Sequence, residues 1–455
     1  MKQTIKNYFL KVQGVLHTTL NPRGIGVARI HLIPPKTIKW GIPWVVIING
    51  QDIVPLNSAW AILLSEFIQV MNELGHSNMN AGELKEIIDE TILRVQNVFT
   101  RTKRSILIDD LRDIIDTITS LAKGEVPPLA IGHLKMTQYA KHMNAPHRMD
   151  LMVSSMKKEE HWNCNQHCLH CYAGHQMLAE EDELTTEEWI SIIDCCQKVR
   201  IPQLTFTGGE PTLRPDLVKL IGHASWFITR LNTNGILLTP DLCRQLYEAS
   251  LDSVQITLYS SDSAIHNQLV GGNHFDETIA GIKNALANKL NVSINTPLCI
   301  QNQDYVETLR FLHDLGVEYV SCSGLILTGE ATSDSVKQLT TVEMETLIRN
   351  AVAYTKGHQM ELAFTSPGWV RESVLKELKL IVPSCGACLS NMAIAPNGDV
   401  IPCQSWLSDG ALGNILTSSW SSIWNSKRCV QLRRQSVQNT QLCPLSQGNR
   451  KEHLT

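Results

Sequence analysis

The sequence predicts an α/β protein, an open, partial TIM-like barrel of six strand–helix units with a smaller domain on either side. From Asp150 onward, short apolar strands alternate with helical patterns, as in parallel α/β folds. Before about residue 145, β-rich stretches come first and three helical patterns follow. After about residue 340 the alternation gives way to a linker helix and a cysteine-rich β-hairpin and helix. We therefore expect three domains, at 1–145, 146–340 and 341–455.

Composition indicates an ordinary soluble globular protein. The 455 residues are 43% hydrophobic and carry a formal net charge of −4, which points neither to nucleic acid nor to a bilayer as a partner. The amino terminus lacks the apolar segment of a signal peptide, and no run of about eighteen apolar residues could span a membrane. The thirteen cysteines group near the middle and the end of the chain, which favours metal ligation in a reducing compartment. A cytoplasmic protein is expected.

The first domain is expected to be an α+β unit similar to a winged helix. Strands are predicted at Val27–Ile33 and Trp44–Ile48, and Asn49-Gly50 is a strong hairpin signal. Ser58 can cap the first of three amphipathic helices. The domain lacks the basic recognition face that DNA binding would require. Pro127-Pro128 marks the linker that follows it.

The barrel strands are read from short β-branched and apolar runs, each followed by a helical pattern. They are predicted at Leu151–Met156, Leu204–Thr207, Trp226–Leu231, Ser253–Leu258, Asn291–Pro297 and Val317–Cys322. Thr185 with Glu188 forms a capping-box signature, and Thr239 precedes Pro240 at the start of another helix. The helix Glu343–Lys356 is expected to end the barrel.

Three closely spaced cysteines follow the first strand, at Cys164, Cys168 and Cys171. Such spacing suits a chain that wraps one metal centre, because the thiolates must converge on a small volume. A [4Fe–4S] cluster normally takes four thiolates, so three leave one iron open for a substrate or cofactor. Two other interpretations are a zinc knuckle completed by a nearby histidine and chance clustering of cysteines. The neighbouring histidines are His161, His167, His170 and His175.

About forty residues later, Gly208-Gly209-Glu210 follows a short buried strand. The glycines allow the backbone to approach a ligand closely, and Pro211 biases Glu210 toward an extended conformation. Glu210 is thus expected at the carboxyl end of a strand, where parallel α/β enzymes place their sites.

The three-cysteine run together with Gly208-Gly209-Glu210 resembles the radical S-adenosylmethionine (SAM) superfamily. The resemblance implies a [4Fe–4S] cluster on Cys164, Cys168 and Cys171, whose open iron chelates the amino and carboxylate groups of SAM. It implies that the Gly-Gly-Glu segment holds the SAM amino group. One electron from the cluster would then cleave SAM to a 5′-deoxyadenosyl radical that abstracts hydrogen.

The same resemblance suggests further SAM contacts. Asn234, in the Thr-Asn-Gly ending of the third strand, stands where relatives place a polar contact, and His170 stands where they pack a residue near the adenine. Thr257 occupies the place of a serine in relatives, although the surrounding residues Leu258-Tyr259-Ser260 depart from the usual run. Alternatively, Asn234 merely shapes a turn and Thr257 is a β-branched strand residue.

The carboxy-terminal segment contains a second cysteine group. Asn397-Gly398 predicts a hairpin that returns Cys403 toward Cys388. The spacing from Cys388 through Gly398 to Cys403 resembles the SPASM/Twitch extension, which binds auxiliary iron–sulfur clusters. One auxiliary cluster is expected, because the further cysteines of a full SPASM domain are missing. A structural zinc site is the alternative. The expected ligands are Cys385, Cys388, Cys403 and Cys443, with Cys429 as the substitute.

The first domain is similar in layout to the peptide-binding domain fused to many peptide-modifying radical SAM enzymes. There a leader peptide adds as a strand to a sheet edge; the alternative is a structural cap on the barrel. The implied function is modification of a ribosomally made precursor peptide, by cross-linking or otherwise, with electrons from a donor such as a flavodoxin or ferredoxin. The alternatives are radical chemistry on a small molecule or protein side chain, as in sulfatase maturation, and a non-catalytic iron–sulfur or zinc scaffold. No catalytic acid or base is singled out.

Overall fold

The protein is described from a computed structural model, which covers residues 17–20, 28–39, 41–49, 52–75, 79–123, 125–127, 134–332, 336–408, 410–438 and 442–445. Gly50 and Pro128, which the sequence placed in a turn and a linker, lie outside these residues, as does most of the amino-terminal stretch. The chain divides into two compact units. The first comprises residues 1–145 with 197–202, and the second comprises 146–196 with 203–455.

The first unit contains a four-stranded antiparallel sheet with its strands in chain order. They are β1 (His17–Leu20), β2 (Ala28–Ile33), β3 (Trp44–Ile48) and β4 (Asp52–Leu56). The predicted hairpin is confirmed by the pairing of Ile48 with Asp52. Asn49 takes a positive φ of 50° there, and its Oδ1 accepts a hydrogen bond from Arg29 N at 2.8 Å. The strand β1 was missed by the sequence analysis.

Three helices follow the sheet, namely α1 (Ser58–Leu74), α2 (Ala81–Gln96) and α3 (Arg104–Ala122). The prediction that Ser58 caps α1 is wrong. Asn57 caps it instead, and its side chain accepts hydrogen bonds from Ala59 N and Trp60 N, each at 2.9 Å. One apolar core joins the sheet to all three helices, with Ile48, Phe67 and Ile92 among its buried members.

The second unit contains two sheets. Its strands are β5 (Arg148–Ser154), β6 (Lys157–Lys158), β7 (His161–Trp162), β8 (Gln203–Gly208), β9 (Ile228–Thr233), β10 (Ser253–Thr257), β11 (Val292–Leu298), β12 (Tyr319–Gly324), β13 (Glu361–Phe364), β14 (Asn391–Ile394), β15 (Asp399–Ile401) and β16 (Gly413–Asn414). The strands β6 and β7 form a short hairpin of their own. The other ten form one open sheet in the order β13-β12-β11-β10-β9-β8-β5-β14-β15-β16.

All six predicted barrel strands are present and parallel, as β5 and β8 to β12. Trp226 was expected in the third, but that strand starts at Ile228. The sheet then continues past both predicted ends. At one end β13 pairs in parallel with β12, although the barrel was expected to finish with the preceding helix. At the other end β14, in the cysteine-rich segment, pairs in parallel with β5.

A short helix, α4 (Met136–Tyr139), lies in the first unit before β5. Most of the other helices connect the strands of the second unit, and the last two follow its final strand. They are α5 (Thr186–Lys198), α6 (Leu217–His223), α7 (Pro240–Glu248), α8 (Ser263–Val270), α9 (Phe275–Ala287), α10 (Tyr305–Asp314), α11 (Thr341–Gly357), α12 (Glu372–Glu377), α13 (Trp420–Trp424) and α14 (Lys427–Gln438). The capping signatures are confirmed, since Thr185 N donates to Glu188 Oε2 at 2.8 Å and Leu242 N donates to Thr239 Oγ1 at 3.2 Å. No helix in the described ranges has the length and apolar character to cross a membrane.

Replacing Asn57 by alanine should lower the free energy of unfolding of the first unit by about 1 kcal/mol, because two amide groups of α1 lose their acceptor. Ser58→Ala should lower this free energy of unfolding by less than about 0.5 kcal/mol, since Ser58 makes no cap hydrogen bond. Urea unfolding read out by amide hydrogen exchange in α1 measures both. Equal losses in the two variants would contradict the assignment of the cap.

Candidate functional site

The three cysteines lie on a loop that follows β7 and is fixed to the end of α8 by main-chain hydrogen bonds. His167 N donates to Val270 O and Leu169 N donates to Leu269 O, each at 3.0 Å. Gly271 makes this contact possible, because a side chain there would place its Cβ 2.4 Å from His167 O. The loop is therefore held in one conformation against the barrel.

The thiols of this loop are neighbours, and burial disfavours their charged form. The charges of Cys164 and Cys171 both act on Cys168. Burial raises the pKa of Cys164 to about 12, and it raises the pKa values of Cys168 and Cys171 above the usual range of a thiol. Only thiolates bind iron, so a positively charged metal centre would have to compensate for this burial. Three soft sulfur donors with no fourth cysteine in the loop fit a cluster that keeps one open iron.

Glu210 lies next to this loop, at the carboxyl end of β8. Its charge contributes to the raised pKa of Cys164. Glu210 Oε1 accepts hydrogen bonds from Thr212 N at 3.0 Å, Thr212 Oγ1 at 2.5 Å and Thr233 Oγ1 at 2.7 Å. Its Oε2 accepts one from Asn234 N at 2.8 Å. Burial raises the pKa of Glu210, against these four hydrogen bonds that favour the charged form. The carboxylate thus fixes the end of β9.

The two glycines before Glu210 have a structural role that the sequence analysis did not foresee. Gly208 has a φ of 141°, and a Cβ there would lie 2.4 Å from Ser154 O at the end of β5. A Cβ on Gly209 would lie 2.9 Å from Ser155 O. Both glycines are therefore required by the close approach of β5, whatever they contact in a ligand.

Asn234 connects the two predicted motifs. Its Nδ2 donates to Asn165 Oδ1 at 2.6 Å, and Asn165 is the residue after Cys164. Its main-chain N–H reaches Glu210, and its carbonyl accepts a hydrogen bond from Thr278 Oγ1 at 3.1 Å. The turn role that the sequence left open is present as well, since Ile236 N donates to Asn234 Oδ1 at 3.1 Å. The structure thus brings Cys164, Glu210 and Asn234 together.

His170 is buried beside the same loop. Its ring makes an edge contact with Tyr259, with 4.7 Å between centroids, and burial lowers its pKa to about 4. Neither ring nitrogen has a hydrogen-bond partner in the described part of the chain. A neutral imidazole with two unpaired nitrogens suits a polar heterocyclic ligand such as adenine.

Thr257 ends β10 and is half-buried, in register with Asn295 of β11. The structure shows no contact that assigns it a role, so its expected contact to SAM stays a prediction.

The second group of cysteines also comes together, around the hairpin of β14 and β15. The charges of Cys385 and Cys443 both act on Cys403, whose pKa is raised to about 12, chiefly by burial. Cys388 is hydrogen-bonded to Cys429, and the charge of Cys403 also acts on Cys388. All thirteen cysteines lie in the described part of the chain and are free thiols. Five soft donors are therefore present where one four-ligand cluster is expected.

The contacts of Arg433 distinguish Cys429 from Cys443, the two candidates for the fourth ligand. Its Nη2 donates to Cys429 Sγ at 3.2 Å, and its Nε donates to Cys388 O at 2.9 Å. The Cys388 thiol and Arg433 lower the pKa of Cys429 below the usual range of a thiol, against its burial. Cys443, in contrast, interacts with both Cys385 and Cys403.

Tyr172 lies between the two cysteine groups and was missed by the sequence analysis. Its phenol is hydrogen-bonded to Thr207, and the charges of Cys171, Asp150 and Cys403 all act on it. Burial raises its pKa above the usual range of a phenol. Its position directly after the third cysteine of the loop was the one signal available in the sequence.

Comparison with known proteins identifies the class to which this fold and site belong. The sequence model of the Radical SAM superfamily matches residues 163–315, and the model of the SPASM iron–sulfur cluster-binding domain matches residues 385–445. The chain therefore contains a radical SAM domain and a SPASM domain. It is an enzyme whose cofactors are SAM, a SAM-binding [4Fe–4S] cluster and an auxiliary iron–sulfur cluster. The zinc and scaffold alternatives are therefore set aside.

Individual relatives agree with this class. The chain is 25% identical over 279 residues to a PqqA peptide cyclase from Streptomyces rochei, which covers 60% of this chain and 75% of the relative. A crystal structure of Streptococcus suis SuiB bound to SAM shares the fold with a TM-score of 0.61 at 16% identity, over 89% of each chain. The crystal structure of SuiB bound to the precursor peptide SuiA has a TM-score of 0.58 at 15% identity, over 88% of this chain and 90% of the other.

Replacing Cys168 by alanine should lower the iron content of the reconstituted chain by about four irons and abolish SAM cleavage, because the first cluster loses one of three thiolate ligands. Cys243→Ala, at a buried thiol on α7 away from both groups, is the matched control and should leave both unchanged. Iron and sulfide analysis with 5′-deoxyadenosine formation measures the effect. Wild-type SAM cleavage by the Cys168 variant would contradict this site.

In a Cys168→Ala background, only the auxiliary cluster contributes iron. There, Cys443→Ala should remove most of the remaining iron, about four per chain, whereas Cys429→Ala should retain it. The reason is that Cys443 interacts with two of the other candidate ligands and Cys429 with one. Iron analysis and electron paramagnetic resonance of the reduced protein distinguish the variants. The reverse pattern would assign the fourth ligand to Cys429.

Proposed function

We propose that this radical SAM enzyme abstracts hydrogen from a ribosomally made precursor peptide and installs a cross-link or another modification. The observation that carries the proposal is the hydrogen-bonded connection from Glu210 through Asn234 to Asn165, which sets the three-cysteine loop over the carboxyl ends of the barrel strands. The peptide part is supported by the PqqA peptide cyclase as a relative and by the structural likeness to SuiB in complex with SuiA.

Cys164, Cys168 and Cys171 would hold the SAM-binding cluster, and Gly208, Gly209, Glu210, Asn234, His170 and Thr257 are the residues proposed to surround SAM. When bound, the cluster and SAM supply reductive cleavage and a radical able to abstract hydrogen. Glu210 and Asn234 would keep the cysteine loop and the ends of β8 and β9 in register. The buried, neutral imidazole of His170 would offer its unpaired nitrogens to the adenine.

The auxiliary cluster, on Cys385, Cys388, Cys403 and Cys443, would accept the electron released during the modification or ligate the substrate. Its place beside Tyr172 and the first cysteine group supports this role, because electron transfer requires the two centres to be close. A flavodoxin or ferredoxin would supply the reducing electron. The thirteen free thiols suit a reducing compartment, and we propose the cytoplasm.

The sheet of the first unit would bind the leader part of the precursor at its β4 edge. Ile53 O accepts a hydrogen bond from Leu134 N at 3.2 Å, a main-chain donor outside the sheet, so the main-chain groups of Ile53 face away from β3. A leader strand at this edge would replace the contact with Leu134. Pro55, two residues on, points the same way and carries no N–H, as is common on edge strands. An extended peptide adds to such an edge through main-chain hydrogen bonds.

The change Ile53→Pro should weaken binding of the precursor peptide about tenfold, because it removes an outward N–H that the added strand would need as a donor. The pairing of β4 with β3 uses the alternate residues and should persist. The probe is a peptide encoded by any short reading frame that sequencing finds beside the gene. Affinity is measured by fluorescence anisotropy of the labelled peptide.

Ile53→Val is the matched control, since it keeps the N–H and most of the side chain. SAM cleavage without peptide should be unaffected in both variants, because Ile53 belongs to the other unit. Unchanged peptide affinity in the proline variant would contradict binding at the β4 edge. Absence of any mass change in the peptide after co-expression would contradict the proposed function itself.

A further inference from the structure

Arg230, on β9, is a half-buried cation that has no strong partner in the described part of the chain. Its guanidinium makes one long hydrogen bond, from Nε to Ser253 Oγ at 3.5 Å. Burial lowers the pKa of Arg230, and the charge of Arg148 lowers it further. A desolvated guanidinium destabilises a fold unless an anion compensates it. Packing alone therefore gives no reason for an arginine here.

Asp150 is the described carboxylate whose charge reaches Arg230, and it is already engaged with Arg148. Arg148 Nε lies 3.0 Å from Asp150 Oδ1, and Arg148 Nη2 donates to Oδ2 at 3.4 Å. Asp150 is fully buried. Two cations and one anion leave an excess of one positive charge in this cluster. The cluster is thus complementary to a single additional anion.

The cluster lies on the face of the sheet that the cysteine loop covers. Asp150, Thr205, Arg230 and Ser253 stand side by side in register on β5, β8, β9 and β10. Two residues further along β5 and on the same face, Met152 belongs to the apolar core against which Cys171 and Tyr172 pack. Two residues of a strand rise about 7 Å, so the row that contains Asp150 and Arg230 lies about 7 Å below the level of Met152, toward the strand starts.

The second cysteine group borders the same row of residues. The charge of Asp150 contributes to the raised pKa values of Cys403 and of Tyr172. Arg230 stands in the same row as Asp150, so a molecule bound along this row would lie beside Arg230. Its anionic group would there find a guanidinium whose donors are almost unused.

We propose that Arg230 binds a carboxylate of the substrate, and so determines which peptides can be modified; this inference rests on the proposed peptide substrate. The carboxylate is that of an aspartate or glutamate side chain or a free carboxy terminus. Arginine is suited to the task because its planar guanidinium can donate two parallel hydrogen bonds to one carboxylate. The Arg148–Asp150 pair positions the site and keeps Asp150 from neutralising Arg230.

Three small probes test the site on the holoenzyme with SAM bound. N-acetylglutamate α-amide carries only a side-chain carboxylate, N-acetylglutamine carries only an α-carboxylate, and N-acetylglutamine α-amide carries neither. At least one of the two acids should bind about tenfold more tightly than the neutral probe, as measured by saturation-transfer nuclear magnetic resonance. The acid that binds more tightly shows whether the site prefers a side-chain carboxylate or a carboxy-terminal one. Equal binding of all three would overturn the inference.

The variant Arg230→Gln should abolish this preference, and Arg230→Lys should restore part of it. Arg310→Gln, at an exposed arginine of α10 paired with Glu307, is the matched control and should keep the full preference. An undiminished preference in Arg230→Gln would overturn the inference. Binding is measured without turnover, so its outcome is independent of whether any peptide is modified. If the Arg230→Gln variant still modifies the peptide, the proposed function stands and only the assignment of Arg230 as a carboxylate-binding residue is contradicted.

Thermal unfolding separates a binding role from a structural one. In the absence of substrate, Arg230→Gln should unfold at the same temperature as the wild type or higher, because a poorly compensated, half-buried charge is removed. If the Arg230→Gln variant had a thermal unfolding midpoint more than about 5 °C below that of the wild type, Arg230 would be needed to stabilise the fold around Asp150. That result would overturn the inference.

Discussion

The structure depends on a short chain of buried hydrogen bonds that ties the cysteine loop to the barrel. Asn234 donates its side-chain amide to Asn165 at 2.6 Å and its main-chain amide to Glu210 at 2.8 Å. Glu210 is almost fully buried, and its carboxylate would be costly there without the four donors that surround it. The loop, β8 and β9 are thus held as one rigid unit, which a catalytic site needs for its precision.

A second constraint is the continuity of the sheet. Because β14 pairs in parallel with β5, the cysteine-rich hairpin extends the barrel sheet beyond its first strand. The auxiliary cysteines therefore come close to the first cysteine group, with Tyr172 in between. The fully buried Asp150 on β5 is near both groups, so the inner face between them is polar and charged, and not merely a packed core.

Much of the fold could be predicted from the sequence, because strands and helices that alternate at regular spacing leave a strong local pattern. The capping signatures at Thr185 and Thr239 were correct for the same reason, since a cap involves only neighbouring residues. The predictions from sequence failed where two neighbouring residues could both cap a helix, and where a strand depends on a partner strand distant in the chain. Asn57 and Ser58 are both good caps, and β13 is a strand of four residues, Glu361–Phe364, that is stable only beside β12.

The sequence by itself determined which reactive residues occur together: three cysteines in one loop, a Gly-Gly-Glu turn after a strand, and a second group of cysteines around a hairpin. Residue type and short spacing suffice to predict these groups, because the members of each lie largely on one stretch of chain. Only the tertiary structure decided that Asn234 joins the two motifs and that Tyr172 stands between the cysteine groups. It also decided that, among the described residues, Arg230 makes only a long hydrogen bond to Ser253 while Asp150 is paired with Arg148. These facts depend on strand register and burial, which bring together residues about eighty positions apart and which no local pattern encodes.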